Sequence, residues 1–367
     1  MKKYLEAIVN FALYGGLTSE QYHDIVPQKR NENKKRLKTF SLIGVIGFGA
    51  VAILNLVTNG FAASNQIFYG ITAAAMAIIY LLVSYVVPKH EKLVMPLTYF
   101  FIAILNFFAI SVALLHPELP AVSIFVFLLA VPLLFVDKPI RMMNIIIFIG
   151  VAFCIITRHE KAPEIAEVDV WNMVTFGFVT IVVNLFLMKF KIKALYESKM
   201  VVYLSETDVL TGLKNRNQFE KMLQNYQHAF ENNLICIYAD VNGLHELNNT
   251  KGHEEGDKML VFVARSLMDK FGSLDAFRVG GDEFIIFQCD RDKDATHSHI
   301  DELNEKFKEN NYHVSFGVVE ATEKGSVEME SLVKDAEKEM YDAKRRYYEE
   351  SGLTHDRRRN REGVNKS

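Results

Sequence analysis

Hydrophobic and polar positions divide this chain of 367 residues into two parts. Long apolar runs recur between residues 40 and 190, whereas residues 191–367 mix apolar positions with frequent charges. Each run is near the roughly 20 residues that a helix needs to cross the core of a bilayer. The pattern predicts a polytopic α-helical membrane domain over residues 40–190. Its six predicted spans lie at 40–58, 66–87, 93–115, 120–136, 140–157 and 171–190. The fourth and fifth are short and are interrupted by Pro132 and Pro139.

Lysine and arginine alternate between the loops that join these spans. Loops 59–65 and 116–119 contain neither residue, whereas loops 88–92 and 137–141 contain two basic residues each. Short loops rich in Lys and Arg remain on the cytoplasmic side of the membrane. The pattern predicts a multi-pass protein of the cell membrane, in contact with lipid, with its N- and C-termini in the cytoplasm.

The composition of the spans restricts what the membrane part can do. No predicted span has a charged residue near its middle, where ion-coupled transporters carry ionisable groups. A transporter is therefore the weaker interpretation. Because the predicted external loops are short, a signal would have to be sensed within the bilayer or at its surface.

Residues 1–39 precede the first span and are predicted to form a cytoplasmic N-terminal segment. Residues 4–13 have the spacing of an interfacial or bundle-docking helix that ends at Gly15 and Gly16 and is too short to cross a bilayer. Residues 27–38 contain six Lys and Arg residues. Directly before a span, such a cluster is typical of a topology anchor rather than a nucleic-acid-binding arm. The net charge of −3 also argues against nucleic acid as a partner.

Residues 191–207 continue the last span as a helical linker. Leu195 and Val202, like Tyr196 and Tyr203, are separated by seven residues. This interval fits a short coiled coil between two chains, but two heptads fit a simple helical connector nearly as well.

Residues 208–349 have the alternating pattern of a soluble α/β domain. Helical runs at 215–231, 254–271, 294–310 and 327–349 alternate with strand-like runs at 233–239, 276–279, 284–288 and 313–319. Two adjacent strands within 276–288 indicate a hairpin, so the sheet is predicted to be mixed and mostly antiparallel, with helices packed on it. Residues 350–367 form a polar, basic tail that is expected to be disordered.

The turn of this hairpin carries the first candidate chemistry. Gly280 and Gly281 precede Asp282 and Glu283 between two apolar strands, and glycine reaches positive φ without a steric penalty. Such a turn would hold two carboxylates where a divalent cation can meet them. A Gly-Gly-Asp sequence taken alone is more often an ordinary acidic turn.

A third acid, Asp240, ends the strand-like run 233–239. If this strand pairs with the hairpin, Asp240 lies beside Asp282 and Glu283. Three converging carboxylates repel one another unless a cation is present, and oxygen ligands favour Mg²⁺ or Mn²⁺ over Zn²⁺. Helix capping or a solvated acidic edge explains any one of these acids but not the three together.

Two further groups of polar residues are candidates for contact with a nucleotide. Asn248 and Asp257 flank a polar turn that leads into a helix, and an amide with a carboxylate can read a guanine edge. Lys344 and Arg345 lie on the last predicted helix among acids. For them a solvated helix face is a simpler explanation than a phosphate contact.

Five separated stretches resemble the GGDEF domain of the diguanylate cyclase family. They are DVLTGLKNR at 208–216, DVNGLHELNNTKGHEEGD at 240–257, RVGGDEF at 278–284, SFG at 315–317 and MYDAK at 340–344. Their number and order argue strongly against a chance match. The resemblance implies a nucleotidyl-cyclase, palm-like α/β domain over residues 208–349.

The resemblance also assigns roles residue by residue. It implies that metal is held by Asp240, by the carbonyl of Val241, and by Asp282 and Glu283. It makes Asp282 and Glu283 catalytic, with Asp282 the candidate general base, and places Gly280 and Gly281 in the signature turn. Asn248 and Asp257 are expected to bind guanine, and Lys344 the triphosphate.

The chain departs from the family at several positions, among them Asn242, His245 and Asn249, where the family often has Asp, Lys and Asp. Two further departures change an expected contact. The Gly-Arg pair that usually follows the lysine is missing, so Arg345 or Arg346 is expected to contact phosphate instead. The family's inhibitory Arg-x-x-Asp motif corresponds to Phe271-Gly272-Ser273-Leu274 here, so no product feedback through that site is expected.

The sequence thus predicts a membrane-bound diguanylate cyclase that condenses two GTP to cyclic di-GMP and two pyrophosphates, controlled by an unknown signal in the membrane domain. Each domain would bind one GTP, so a homodimer through the GGDEF domain and the linker helix is expected. The alternative is a catalytically silent membrane receptor for GTP or cyclic di-GMP. The intact signature acids favour the enzyme.

Overall fold

The computed structural model describes residues 2–58, 63–272, 275–322 and 327–351. Two compact units divide the chain, Met1–Lys199 and Met200–Ser367. The predicted tail falls almost wholly outside the described residues, as does the second half of the sequence at 271–274 that replaces the inhibitory motif.

The first unit is entirely helical in its described part. Its helices are α1 (Lys2–Tyr14), α2 (Ser19–Asp24), α3 (Val26–Thr58), α4 (Ala63–Leu81), α5 (Val94–Leu115), α6 (Ser123–Ala130), α7 (Pro139–Glu160) and α8 (Pro163–Glu206), the last of which extends into the second unit. Large apolar side chains such as Val57 and Phe148, each about three-quarters exposed, cover its surface. An apolar surface of this kind is compatible with a lipid environment.

Five helical segments are long and apolar enough to cross a membrane. They are Val26–Val57, Gln66–Val86, Glu91–Leu115, Pro139–Glu160 and Pro163–Glu206. The predicted fourth span, 120–136, is instead the eight-residue helix α6 followed by a 3₁₀ turn, Pro132–Leu134. Pro132 has no N–H to continue the α-helix, which ends two residues before it. The prediction of six spans is therefore not confirmed by helix length.

Two buried ion pairs lie at opposite ends of α7. Lys29 Nζ is 2.8 Å from Asp137 Oδ1, just before α7 begins, and Lys161 Nζ is 2.8 Å from Asp169 Oδ2, just after α7 ends. All four side chains are almost fully buried. Lys29 belongs to the predicted basic anchor at 27–38, but the structure uses it as an internal partner rather than a surface charge.

The second unit is built on a five-stranded sheet. Its strands are β1 (Lys214–Asn215), β2 (Leu234–Asn242), β3 (Ala276–Arg278), β4 (Glu283–Cys289) and β5 (His313–Ala321), in the order β1-β3-β4-β2-β5. β1 and β3 are parallel, and the other neighbours are antiparallel. This confirms the predicted mixed, mostly antiparallel sheet.

Helices cover both faces of this sheet. They are α9 (Arg216–Met222), α10 (Leu244–Lys251), α11 (His253–Phe271), α12 (Lys293–Glu309) and α13 (Met329–Ser351). Alternate residues of β2 point to opposite faces, Ile235 and Ile237 toward α11 and α12, and Cys236 and Tyr238 toward α13. Because both faces are covered, all of β2 is buried, which explains its nearly continuous apolar run.

One helix was not predicted. The predicted polar turn at 248–257 begins within a helix, α10, which follows Gly243 at φ +74°. Its composition is polar and none of its residues is buried, so it lacks the apolar period by which a helix is recognised.

Candidate active site

The sheet brings Asp240 opposite Glu283. Asp240 lies near the end of β2, where its Cα partners are Glu283 on β4 and Ser315 on β5. The turn is fixed to this strand by its backbone, since Val241 N–H donates to the carbonyl of Asp282 at 3.0 Å. The predicted pairing between the first strand and the hairpin is therefore present.

Space, rather than positive φ, explains the first of the two glycines of the turn. Neither Gly280 nor Gly281 is among the described glycines that have positive φ. The prediction that these glycines adopt positive φ is therefore wrong. A Cβ at Gly280 would overlap with Oε2 of Glu283, whereas a Cβ at Gly281 would meet nothing within 4 Å. Gly280 is needed because the carboxylate of Glu283 lies against its Cα.

One cavity joins three of the predicted residues. Asp240, Glu283 and Lys344 line a space of about 490 Å³ between the sheet and α13. The other residues that line it are Lys334, Asp335, Glu337, Lys338, Met340 and Tyr341. Asp282 is not among the described residues that line this cavity, although its backbone contacts β2 beside it.

Lys344 and Asp240 form an ion pair inside the protein. Lys344 Nζ donates to Asp240 Oδ1, and the two residues are 5% and 1% exposed. This contact was not predicted, because Lys344 was expected to bind the triphosphate and Asp240 to bind metal. A buried carboxylate requires a positive neighbour, and here the ammonium group supplies it.

The donors present suit a hard divalent cation. Asp240 and Glu283 contribute carboxylates at facing positions of an antiparallel pair, and Val241 contributes a backbone carbonyl next to them. Oxygen ligands of this kind are those that Mg²⁺ prefers. The described residues contain no group of three His, Cys, Asp or Glu side chains arranged around one metal position, so the predicted convergence of Asp240, Asp282 and Glu283 is not found.

The predicted guanine pair lies on the two helices after β2. Asn248 is on α10, and its Oδ1 packs against Gly256 at the start of α11, next to Asp257. Oδ1 of Asn248 is buried and has no hydrogen-bond partner within the described residues, while Asp257 is exposed. Because this oxygen lies against Gly256 and is closed to solvent, a guanine edge would meet it only after the Asn248 side chain turns.

The position of Arg345 does not favour a phosphate contact. Its side chain is exposed and lies 3.4 Å from Asp342 and 3.9 Å from Glu349, neighbours on the same face of α13. Arg346 lines a separate cavity of about 640 Å³ beside β5 and α12. Neither arginine lines the cavity that contains Asp240.

The structure adds one residue that sequence reasoning missed. Arg278 Nη1 donates to Asp208 Oδ1 at 2.8 Å, and Nη2 donates to the carbonyl of Gly281 at 2.7 Å. Asp208 also accepts hydrogen bonds from the N–H and hydroxyl of Thr211. Arg278 thus ties the first turn after α8 to the turn that carries Glu283. The spacing Asp-x-x-Thr at 208–211 is a known pattern of side-chain-to-backbone turns and offered a signal.

These contacts change the acidity of Asp208. Burial alone would raise the pKa of its carboxyl group, but hydrogen bonds from Thr211 and Arg278 outweigh burial and hold the pKa below its ordinary value. The pKa of Tyr238, beside Glu283, is raised, first by burial and then by the charge of Glu283. Its phenol therefore stays neutral at physiological pH.

Comparison with known proteins supports the resemblance. A family model described as "Diguanylate cyclase, GGDEF domain" matches residues 205–349. The diguanylate cyclase DgcS of Shewanella oneidensis is 31% identical over 151 residues, which cover 37% of this chain and 49% of that protein. The cyclic di-GMP phosphodiesterase PdeB of the same organism is 38% identical over 85 residues, covering 23% of this chain and 10% of that protein.

A solved structure is also similar to part of this chain. The coiled coil and GGDEF domain of DgcB from Caulobacter crescentus, in complex with c-di-GMP, is 22% identical, with a TM-score of 0.39. The match covers 42% of this chain and 89% of that one. The chain thus spans about half the length of DgcS and a tenth of PdeB, and the residues that the family model matches belong to the second unit.

Proposed function

Residues 205–349 form a GGDEF domain, and on this premise we propose that the chain is a membrane-bound diguanylate cyclase. It would condense two GTP molecules to cyclic di-GMP and release two pyrophosphates. The observation that carries the proposal is the cavity in which Asp240, Glu283 and Lys344 meet beside the signature turn. It combines acidic oxygens with a lysine, the chemistry that a metal-bound triphosphate requires.

The reaction joins two substrates held by two chains. The 3′-oxygen of one GTP attacks the α-phosphorus of the other in line, a P–O bond forms, and the bond to pyrophosphate breaks. When bound, a divalent cation supplies positive charge that offsets the charge developing on the phosphate oxygens. Asp240, the carbonyl of Val241 and Glu283 would hold it, and Asp282 is proposed to accept the proton of the 3′-hydroxyl.

The remaining residues would bind and orient the nucleotide. Asn248 would turn its side chain away from Gly256 and accept a hydrogen bond from the guanine edge, and Asp257 would accept a second. Lys344 would contact the triphosphate. Because it is already paired with Asp240, binding the nucleotide would exchange one anionic partner of the lysine for another. Arg345 is left out of this proposal because it pairs along its own helix.

We further propose six membrane crossings, with an interrupted fourth. Ala121, which precedes α6, donates its N–H to Asp169 at 2.8 Å. Asp169 lies on α8, beyond the end of α7. Val136, which follows α6 and lies just before the start of α7, donates its N–H to Asn33 at 2.9 Å. Residues 121–136 thus connect the two ends of a helix about 33 Å long, from 22 residues at 1.5 Å each. An even number of crossings agrees with both termini in the cytoplasm.

The test uses the full chain in lipid nanodiscs. We expect it to form cyclic di-GMP from GTP and Mg²⁺, measured by mass spectrometry. Glu283→Gln should lower the rate by about 100-fold or more, because it removes an anionic oxygen from the metal site. Glu337→Gln, which makes the same charge change in the same cavity, is the control and should stay within about threefold.

The alternative receptor function makes a different prediction. A silent receptor would bind GTP or cyclic di-GMP with Mg²⁺ present but form no product, and Glu283→Gln would then change no rate. Binding measured by equilibrium dialysis on the same preparation separates the two functions. Equal product from wild type and Glu283→Gln would overturn the assignment of Glu283.

A further inference from the structure

The last part of α8 carries residues at heptad spacing along one face. Met188, Ile192, Leu195, Lys199 and Val202 follow one another at intervals of four and three residues. This is the a/d spacing by which one helix packs along another. These five residues are here called the α8 seam.

Within a single chain, the N-terminal segment (residues 2–25) covers the first part of the seam. Met188 and Ile192 have no exposed surface, and they form one cluster with Tyr22 and Ile25. Leu195 packs against the same cluster. The first half of the predicted coiled-coil stripe is therefore already occupied by the chain's own N-terminal segment.

Polar contacts extend this cover to Lys199. Gln21 Nε2 donates to the hydroxyl of Tyr196 at 3.3 Å, next to the seam. Lys199 Nζ donates to the carbonyl of Asp24 at 3.0 Å and lies 3.6 Å from Asp24 Oδ2. The carboxylate of Asp24 is about half exposed, so this outer contact is easily screened.

The cover of the seam is not equally tight along its length. Tyr22 and Ile25 are buried against Met188 and Ile192, and Lys29, just after the segment, donates to Asp137 and to the hydroxyl of Tyr22. At Lys199 the contacts described are polar and partly exposed. Release of the segment is therefore easiest from its Lys199 end.

Beyond Lys199 the seam is open. Val202 is 52% exposed, and its helix neighbours Val201, Tyr203 and Leu204 are 66%, 47% and 52% exposed. Of these residues, Val202 is in the heptad phase of the seam, and Tyr203 lies beside it, seven residues after Tyr196. Exposed positions that continue the spacing of covered ones suit a helix of the same sequence as a partner.

We propose that the N-terminal segment is a displaceable brake on self-association. It covers Met188 to Lys199, the part of the α8 seam that a second copy of this chain would use, and its release lets two copies pair along the whole seam. The inference rests on the proposed function, since only paired chains would complete the cyclase site. Its direct readout, however, is association.

A disulfide between the brake and the seam tests this. An ideal Cβ at Gly15 would lie 3.2 Å from Cβ of Ile192, close to the separation of about 3.5–4.5 Å in disulfides. Gly15→Cys and Ile192→Cys are introduced together after Cys154→Ser, Cys236→Ala and Cys289→Ser. Each single variant is the control for the strain of a side chain at Gly15, whose φ is +65°.

The full chain is measured in nanodiscs or detergent, oxidised and reduced, by mass photometry and by cyclic di-GMP formation. We expect the oxidised protein to remain monomeric and to lose activity by about tenfold or more, with both recovered on reduction. Equal association and equal activity in the two states would overturn the proposal.

A charge reversal tests the same contact in the opposite direction. Asp24→Lys places two ammonium groups together at the end of the brake and should raise the dimer fraction and the activity by about two- to fivefold at low salt. Glu20→Lys changes the charge of the same helix by the same amount, on an exposed residue, and should change neither. An equal effect of both variants, or none from Asp24→Lys, would count against the brake.

Association and cyclic di-GMP formation, measured together, distinguish failure of the brake from failure of the cyclase. Absence of cyclic di-GMP in every state, with association still controlled by the disulfide, would reject the cyclase and retain the brake. Product formation that is independent of the disulfide would retain the cyclase and reject the brake.

Discussion

At the scale of single residues, the site depends on one buried ion pair. Lys344 gives Asp240 the positive neighbour that a buried carboxylate needs, and both lie in the cavity with Glu283. The lysine therefore stabilises the fold as well as serving the proposed triphosphate site. These two roles can be separated by experiment.

Lys344→Met should lower the free energy of unfolding of the second unit by about 3 kcal/mol, because Asp240 is left buried without its ammonium partner. Lys338→Met, on the exposed face of the same helix and in the same cavity, should change it by less than about 0.5 kcal/mol. Pulse proteolysis of the full chain in urea measures both. Adding Asp240→Asn to Lys344→Met should restore stability but not activity. Failure to restore stability would contradict a direct pair.

Asp208 is expected to make the stability of the fold depend on pH. Its pKa is lower in the folded protein than its ordinary value of 3.8, so its stabilising effect is complete above that pH and is lost as pH falls through the lower folded pKa. We expect Asp208→Asn to be less stable than wild type at pH 7. The difference should shrink steadily below about pH 4.

The matched control for this pH series is Asp301→Asn, an exposed position on α12. Urea unfolding of both variants between pH 3 and 7 decides the outcome. A difference between wild type and Asp208→Asn that stays constant with pH would mean that Arg278 and Thr211 do not stabilise the charged form.

At the scale of elements, the hairpin turn shows why one glycine differs from the next. Gly280→Ala would push the carboxylate of Glu283 away, since that carboxylate lies where the new Cβ would stand. Only the end of a flexible side chain has to move, so stability should fall by less than about 1 kcal/mol while activity falls by about tenfold or more. Gly281→Ala has open space and should retain more activity at equal stability. Equal loss in both variants would contradict the spatial explanation.

Gly317 provides the contrasting case on β5. A Cβ there would overlap with the carbonyl of Ala336 and the backbone nitrogen of Met340 on α13. Backbone cannot yield as a side chain can, so Gly317→Ala should lower the free energy of unfolding by about 2 kcal/mol or more. Thermal unfolding distinguishes it from Gly280→Ala, which should lose activity first. A stable Gly317→Ala protein would mean that α13 can shift away from β5.

The interrupted fourth crossing is also a property of elements. Single cysteines at Glu118 and Arg141, after replacement of the three native cysteines, report the two ends of residues 121–136. We expect a membrane-impermeant maleimide to label Glu118→Cys in intact spheroplasts and Arg141→Cys only after lysis. Labelling of both from the same side would reject the fourth crossing.

The parts of this fold that could be predicted are those with a strong local period. β2 was recognisable because burial on both faces leaves a continuous apolar run, and the hairpin because two apolar strands enclose a short turn. α10 has no apolar face and gives no helical signal. The apolar run 120–136 predicts a full span although Pro132 interrupts it, because hydropathy alone does not show where the α-helix ends.

The same reasoning explains what was missed in the site. Asp240 and Glu283 were expected to meet because strand pairing follows from pattern. The pairing of Lys344 with Asp240 joins residues 104 apart in sequence, and Arg278 reaches Asp208 across 70 residues. Such contacts depend on how α13 and the hairpin pack, which no local pattern encodes. The heptad stripe on α8 was seen, but the partner that covers half of it lies at the other end of the chain.

At the scale of the whole molecule, α8 is the element through which a signal would have to act. It runs without interruption from Pro163 to Glu206, so a rotation in its first part would be carried to its last. Insertions after Lys199 leave the contacts of the N-terminal segment intact and change only the phase of the residues beyond the insertion. Two, four and seven inserted alanines rotate the helix by about 200°, 40° and −20°, and lengthen it by about 3, 6 and 10.5 Å.

Phase and length can therefore be separated, because the largest rotation comes with the smallest lengthening. If paired α8 helices hold two GGDEF domains face to face, the two-residue insertion should lower cyclic di-GMP formation by about tenfold or more, while seven residues keep it within about threefold. Membrane fractions of equal protein content are compared. A loss that grows steadily with length would support a simple spacer instead. Equal activity in all three would mean that α8 does not control the catalytic pair, and regulation by the membrane domain would have to take another route.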